Sequence, residues 1–134
     1  MEKSATTENP TKCHACGCED NGKVKLTEEE IQQELATLNP QWKWTLSDDH
    51  KTISRIMVLK HWQAAMNAIQ EISKIAESPD MLHHPDLHLT SYRQLEIRIK
   101  TNAVDALTKM DFILARAIDA VSFEYSPKWL KDNA

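Results

Sequence analysis

Between His61 and Glu77 the apolar residues Trp62, Ala65, Met66, Ile69, Ile72, Ile75 and Ala76 recur at intervals of three and four. That spacing puts them on one side of a helix, and Trp62, Met66 and Ile69 are read as core residues on that stripe. An amphipathic helix needs a second layer to cover it. The segment Leu95, Ile97, Ile99, alternating with Glu96, Arg98 and Lys100, supplies one, because a period of two belongs to a half-buried antiparallel strand with a wet outer face.

The remaining elements fall around these two. Thr27 and Glu30 have capping-box spacing and Leu26 can staple onto Ile31, which predicts a helix over about 28–38. Asn39-Pro40 stops it; Trp42, Trp44 and then Thr52–Leu59 follow as strand candidates around a turn at Ser47–His50. Leu87 and Leu89 belong to a further strand. A last helix opens at Thr108, with Asp111 at its N3 position and Leu107 set against Phe112, and runs to about Phe123. The order is helix, strand, strand, helix, strand, strand, helix. It predicts an α+β domain: a sheet of about four antiparallel strands with three helices packed on one face.

A chain of 134 residues makes one ordinary domain, large enough to bury roughly two-thirds of its unfolded surface. Residues 1–23 are polar, hold both glycines and show no period, so they read as a flexible N-terminal arm before a domain over 24–134. Sixteen Lys plus Arg against twenty Asp plus Glu give a net charge of −4, which offers no basic field for nucleic acid or anionic lipid. Nothing approaches the length of an apolar membrane span or a signal core, and a cytoplasmic location is expected. Cys13, Cys16 and Cys18 are odd in number and crowded, unlike a disulfide scaffold. Reduced thiols are the default; a soft cation held by Cys13 and Cys16 is the alternative, though no second Cys or His pair stands at finger spacing.

Chemistry concentrates at His83-His84-Pro85, with His88 close behind. Histidine exchanges protons near neutrality, with an unperturbed pKa of roughly 6.5. Adjacent side chains in extended backbone point to opposite sides, so His83 and His84 share a pocket only where the chain bends. Pro85 holds His84 extended and removes a backbone donor. Three readings remain open from the residues: proton transfer, loop histidines bonded to backbone, and a metal site using His83, His84 and His88 with Asp80 or Asp86, whose spacing fits no standard zinc pattern.

The run His83-His84-Pro85, Tyr92, position 102 and Asp111 resembles the signature of the pterin-4a-carbinolamine dehydratases, and Asp111–Asp119 resembles that family's last helix. The likeness covers about 26–123 and is strongest toward plant-type members. It implies dehydration of 4a-hydroxytetrahydropterin to quinonoid dihydropterin in tetrahydrobiopterin recycling, with no metal and no cofactor. It makes His83 a proton-transfer residue and His84 chiefly a pterin-binding one, and puts Asn102 where the family has a third histidine. Pro85, Tyr92, Thr101 and Asp111 are implied in binding, and either Glu77 or Asp80 stands for an acidic residue whose position falls on Pro79. An amide cannot exchange protons near neutrality, so activity is expected to be weakened. The resemblance also implies a homodimer or homotetramer, with Leu95–Ile99 as a pairing strand, and, as the alternative function, a protein-binding or dimerisation cofactor.

Overall fold

The computed structural model describes residues 24–133; the N-terminal arm and its cysteines lie outside the described residues. Helix α1 is Glu28–Thr37. Its capping box is complete: Thr27 Oγ1 accepts from Glu30 N–H at 3.1 Å and Glu30 returns a carboxylate to Thr27 N–H at 2.8 Å. Leu26 and Ile31 are both buried. Asn39 caps a single 3₁₀ turn, Pro40–Trp42, so Trp42 is not in a strand as the sequence reading had it: Pro40 at its start fixes φ for a turn rather than a sheet.

Strands β1 (Thr45–Leu46), β2 (Ile53–Val58), β3 (Asp86–Thr90) and β4 (Gln94–Ile99) form one antiparallel sheet in the order β1-β2-β4-β3. Helix α2 is Trp62–Glu77, capped by the His61 imidazole, whose Nδ1 accepts from Ala64 N–H. Helix α3 is Lys109–Asp119, ending before Phe123. A short α4, Pro127–Asp132, was not foreseen. Residues of α1, α2 and α3 join Ile53, Met57, Leu95, Ile97 and Ile99 in a single core, all five strand residues being fully buried. The opposite face is wet, as the alternation required.

Two expectations are corrected. Trp62 is half-exposed at 53% and Met66 and Ile69 only partly buried. The residues of α2 that press on the core are Ala64, Ala65, Ala68, Ile72 and Ala76, small side chains that let the helix approach the sheet closely and leave the bulky ones at its flank. Strand β4 cannot pair with another copy, because β2 and β3 already take both its edges. The far side of β2 is covered by β1 and by a bridge from Leu59 to Tyr125. Among the described residues the outer edge of β3 has no strand beside it.

The core also holds a charge that periodicity conceals. Arg55 points inward between Ile53 and Met57 and is 1% exposed. Its Nη1 donates to Asp119 at 2.8 Å, its Nη2 to Tyr125, and Trp42 stacks 4.4 Å from the guanidinium; Nε is buried without a partner. Trp44 Nε1 also donates to Asp119. Burial pushes the Asp119 carboxyl up, against these donors, so desolvation offsets much of the attraction. Asp119→Ala is expected to cost about 3–5 kcal/mol in urea unfolding, because it strands the guanidinium, whereas pairing it with Arg55→Met restores most of the loss.

Candidate active site

Helix α2 ends at Glu77, and Ser78–Leu82 wrap into a tight turn in which Met81 and Leu82 N–H donate to Ser78 C=O. Leu82 adopts φ 41°, a left-handed conformation that costs a branched residue roughly 1–2 kcal/mol. That bend returns the chain so that His83 N–H donates to Ala76 C=O at 3.1 Å. The two imidazoles differ in burial, His83 being buried and His84 exposed, yet beside this bend both line one cavity.

His83 Nε2 lies 2.5 Å from Asp111 Oδ1. Asp111 is fully buried, and its other oxygen accepts from Thr101 Oγ1 at 2.9 Å and from Thr108 N–H at 2.8 Å. Thr101 Oγ1 is also 2.8 Å from Thr108 Oγ1. A carboxylate only accepts, so with Asp111 ionised it is His83 Nε2 that donates in this pair. Among the described residues His83 Nδ1 has no hydrogen-bond partner, and His83 lines a cavity of about 100 Å³ together with Leu82, His84, Lys100 and Asn102. His84 Nε2 meets the Glu77 carboxylate.

The expected site residues therefore divide. His83, His84 and Asn102 come together around one cavity, and Glu77, not Asp80, is the acidic partner; Asp80 is exposed and lines no part of it. Asp111 and Thr101 stand behind His83, sealed from the cavity, so they position rather than bind. Pro85 leads into β3 outside the lining. Tyr92 sits in the β3–β4 turn at φ 55°, 57% exposed, with all of β3 between it and the histidines, roughly 17 Å at 3.3 Å per residue. It cannot touch a ligand held there. His88 lies on the wet face opposite Glu96, and among the described residues no three His, Cys, Asp or Glu side chains are grouped to hold a metal. Lys100 was missed; it lines the cavity because it leaves β4 on the same face as Asn102, a signal that the alternation of that strand already contained.

The family model described as pterin 4 alpha carbinolamine dehydratase matches residues 24–121. The chain belongs to this family. It is 34% identical over 115 residues to the mitochondrial pterin-4-alpha-carbinolamine dehydratase 2 of Arabidopsis thaliana, covering 84% of this chain and 58% of that protein, so it spans less than two-thirds of this plant relative. A Legionella pneumophila (strain Paris) protein that carries the dehydratase name provisionally is 34% identical over 106 residues, 79% of this chain and 88% of its own. The crystal structure of a transcriptional coactivator/pterin dehydratase from Brucella melitensis superposes with a TM-score of 0.63 at 26% identity, covering 72% of this chain and 97% of that one. The α+β fold is the family's, and the enzyme class that membership carries is hydro-lyase. The segment from Ser122 onward, with Tyr125 and Trp129, lies beyond the family match.

Asn102 is carried by a loop closed by the Thr101–Ala106 bridge and clamped at Asp105, which receives Lys51 and Lys100 at 2.8 Å each. Hydrogen bonds and charge from both ammonium groups hold the Asp105 carboxyl down at about 2. With the folded value depressed, the clamp's contribution is in place above the ordinary carboxylate value and is lost as pH falls through about 2. The Asn102 amide resonance is expected to hold its position from neutral pH down to about pH 4. Asp105→Asn should shift it at neutral pH, as should high salt, which screens exposed pairs.

Proposed function

We propose that this chain dehydrates a 4a-hydroxytetrahydropterin with His83 as its proton-transfer group. The observation that carries the reading is the buried Asp111 carboxylate bonded to Nε2 of His83 at the wall of the cavity; with Nε2 donating to it, Nδ1 is the nitrogen left for a substrate proton. In the reaction the C4a–oxygen bond breaks and the neighbouring ring nitrogen gives up its proton as the C4a–nitrogen double bond forms. Nδ1 of His83 accepts that proton, and the hydroxyl leaves as water on taking a proton from solvent, which the shallow cavity admits. His84, braced by Glu77, hydrogen-bonds the pterin. Asn102 offers its amide to the ring or the hydroxyl but carries no proton. At about 100 Å³ the cavity cups one edge of a bicyclic ring, well short of the roughly 300–1,000 Å³ of an enclosing pocket.

Purified protein is expected to accelerate carbinolamine dehydration, and His83→Gln to lose about 10²–10⁴-fold, the share of one general acid or base. Asn102→His should raise turnover by about tenfold or more by restoring a proton carrier. Rates equal to the uncatalysed reaction in all three proteins would defeat the enzyme reading.

A homo-oligomer is supported by two surfaces: the open outer edge of β3, which offers unpaired backbone groups, and the flank of α2 where Trp62, Met66 and Ile69 stay partly uncovered. The same flank suits the second reading, a protein-binding role of the kind that the Brucella protein's description as a coactivator names for that protein. Light scattering on the wild type is expected to give a mass above that of the 15.4 kDa monomer, reduced by Trp62→Glu. A monomer at micromolar concentration would remove the oligomer proposal.

A further inference from the structure

The histidine cavity is lined by Leu82, His83, His84, Lys100 and Asn102. Leu82 has no exchangeable side-chain proton and the Asn102 amide releases none near neutrality. His83 is bonded to Asp111 and His84 to Glu77. Lys100 is thus the one lining group besides the histidines with a proton to give. Its place is set by the loop it borders: Nζ donates to Asp105 Oδ1 at 2.8 Å, and Asp105 N–H donates to Asn102 C=O at 3.2 Å. The ammonium is therefore tied to the residue that closes the turn at position 102. An ammonium has three donors, and the Asp105 contact uses one. The Lys100 side chain is also one-third exposed and lines the open cavity on the wet face of the sheet, so solvent can return a proton to it. Lys51 donates to the other oxygen of Asp105 at the same 2.8 Å but does not line the histidine cavity.

We propose that Lys100 is a catalytic residue, the group that hands a proton to the departing 4a-hydroxyl. The proposal rests on the dehydratase reading and deepens it. As the C4a–oxygen bond breaks, negative charge grows on the oxygen, and a cation held in place at that point stabilises it without having to reorganise. One ammonium proton passes to the oxygen, which leaves as water. The proton of the neighbouring ring nitrogen passes to Nδ1 of His83 as the C4a–nitrogen double bond forms. Lys100 then regains its proton from solvent and His83 gives one up through the cavity, so one proton enters and one leaves in each turnover. Solvent remains the source of the proton that the hydroxyl takes, and Lys100 is the group that delivers it. Acid and base come from different elements: His83 from the chain ahead of β3, and Lys100 from the chain just past the end of β4.

The test separates proton delivery from the clamp on Asp105. Carbinolamine dehydration is measured for Lys100→Met and for Lys51→Met, each checked for fold by circular dichroism. Both remove one arm of the same clamp, but only the first removes a group from the cavity. Lys100→Met is expected to lose about 10²-fold more in kcat than Lys51→Met, the lower end of what one general acid contributes, with KM changed little. Lys100→Arg keeps the cation but not a proton it can release, and is expected to recover only part of the loss. In Asn102→His, where an imidazole beside Lys100 can supply the proton, Lys100→Met is expected to cost less than about tenfold. Equal losses in the Lys51 and Lys100 variants overturn the proposal while leaving the dehydratase reading intact. Full recovery by arginine does the same, and so does an undiminished cost of Lys100→Met in Asn102→His. Turnover by neither the wild type nor Asn102→His overturns the dehydratase reading, and the role of Lys100 with it.

Discussion

The carboxylate of Asp111 is the point on which the histidine end of the molecule depends. An ion with no solvent contact forfeits several kcal/mol of hydration and stays in place only if donors surround it. Here Thr108 N–H comes from the start of α3, Thr101 Oγ1 from the chain just past β4, and His83 Nε2 from the chain just ahead of β3. The chain around the start of α3 and the segment of His83, 28 residues earlier, are thereby fixed to one residue. The arrangement gives a helix cap a second use: the carboxylate that begins α3 also holds the His83 imidazole at the wall of the cavity. Loss of the Thr101 hydroxyl would leave one carboxylate lone pair empty inside the protein, at about 1–3 kcal/mol, and would free His83 to tilt.

A second buried charge, Arg55, does a different job. Its partners are drawn from the C-terminal half, Asp119 at the end of α3 and Tyr125 beyond it. With Trp42 stacked on Tyr125 at 5.0 Å between ring centres and Trp129 5.3 Å from Tyr125, the guanidinium sits in an aromatic enclosure. The cluster closes the side of β2 left uncovered by the very short β1. It lies in part beyond the family match, and it is structural: no atom of it reaches the histidine cavity.

Much of this was legible in the sequence because local rules and the fold agree. The capping boxes at Thr27 and Thr108, the alternation from Leu95 to Ile99, and the boundaries of α2 each rest on short-range chemistry. Three residues were beyond reach of the sequence for a common reason, since each needed knowledge of what lies across the fold. Trp62 looked like core because it falls on the apolar stripe, but the sheet is met by alanines. Arg55 drew no reading at all inside its strand, since its hydrogen-bond partners are more than sixty residues away. Asp111 satisfied both a capping reading and a binding one, and only the position of His83 behind it decides that it positions. The signature spacing recovered His83, His84 and Asn102 together, yet it also carried Tyr92, which belongs to the turn at the other end of the hairpin.

A change at position 102 is local in its effect for the same geometric reason. Position 102 is exposed and borne on a loop clamped from outside by Lys51 and Lys100 through Asp105, whereas the His83–Asp111 pair is buried and held by threonines and a backbone amide. The two share no hydrogen bond among the described residues, so a change at 102 leaves the orientation of His83 untouched. A sealed network and a surface loop can vary separately, so under the proposed dehydratase reading a change at this one exposed position alters the group offered to the substrate while the His83–Asp111 pair stays as it is.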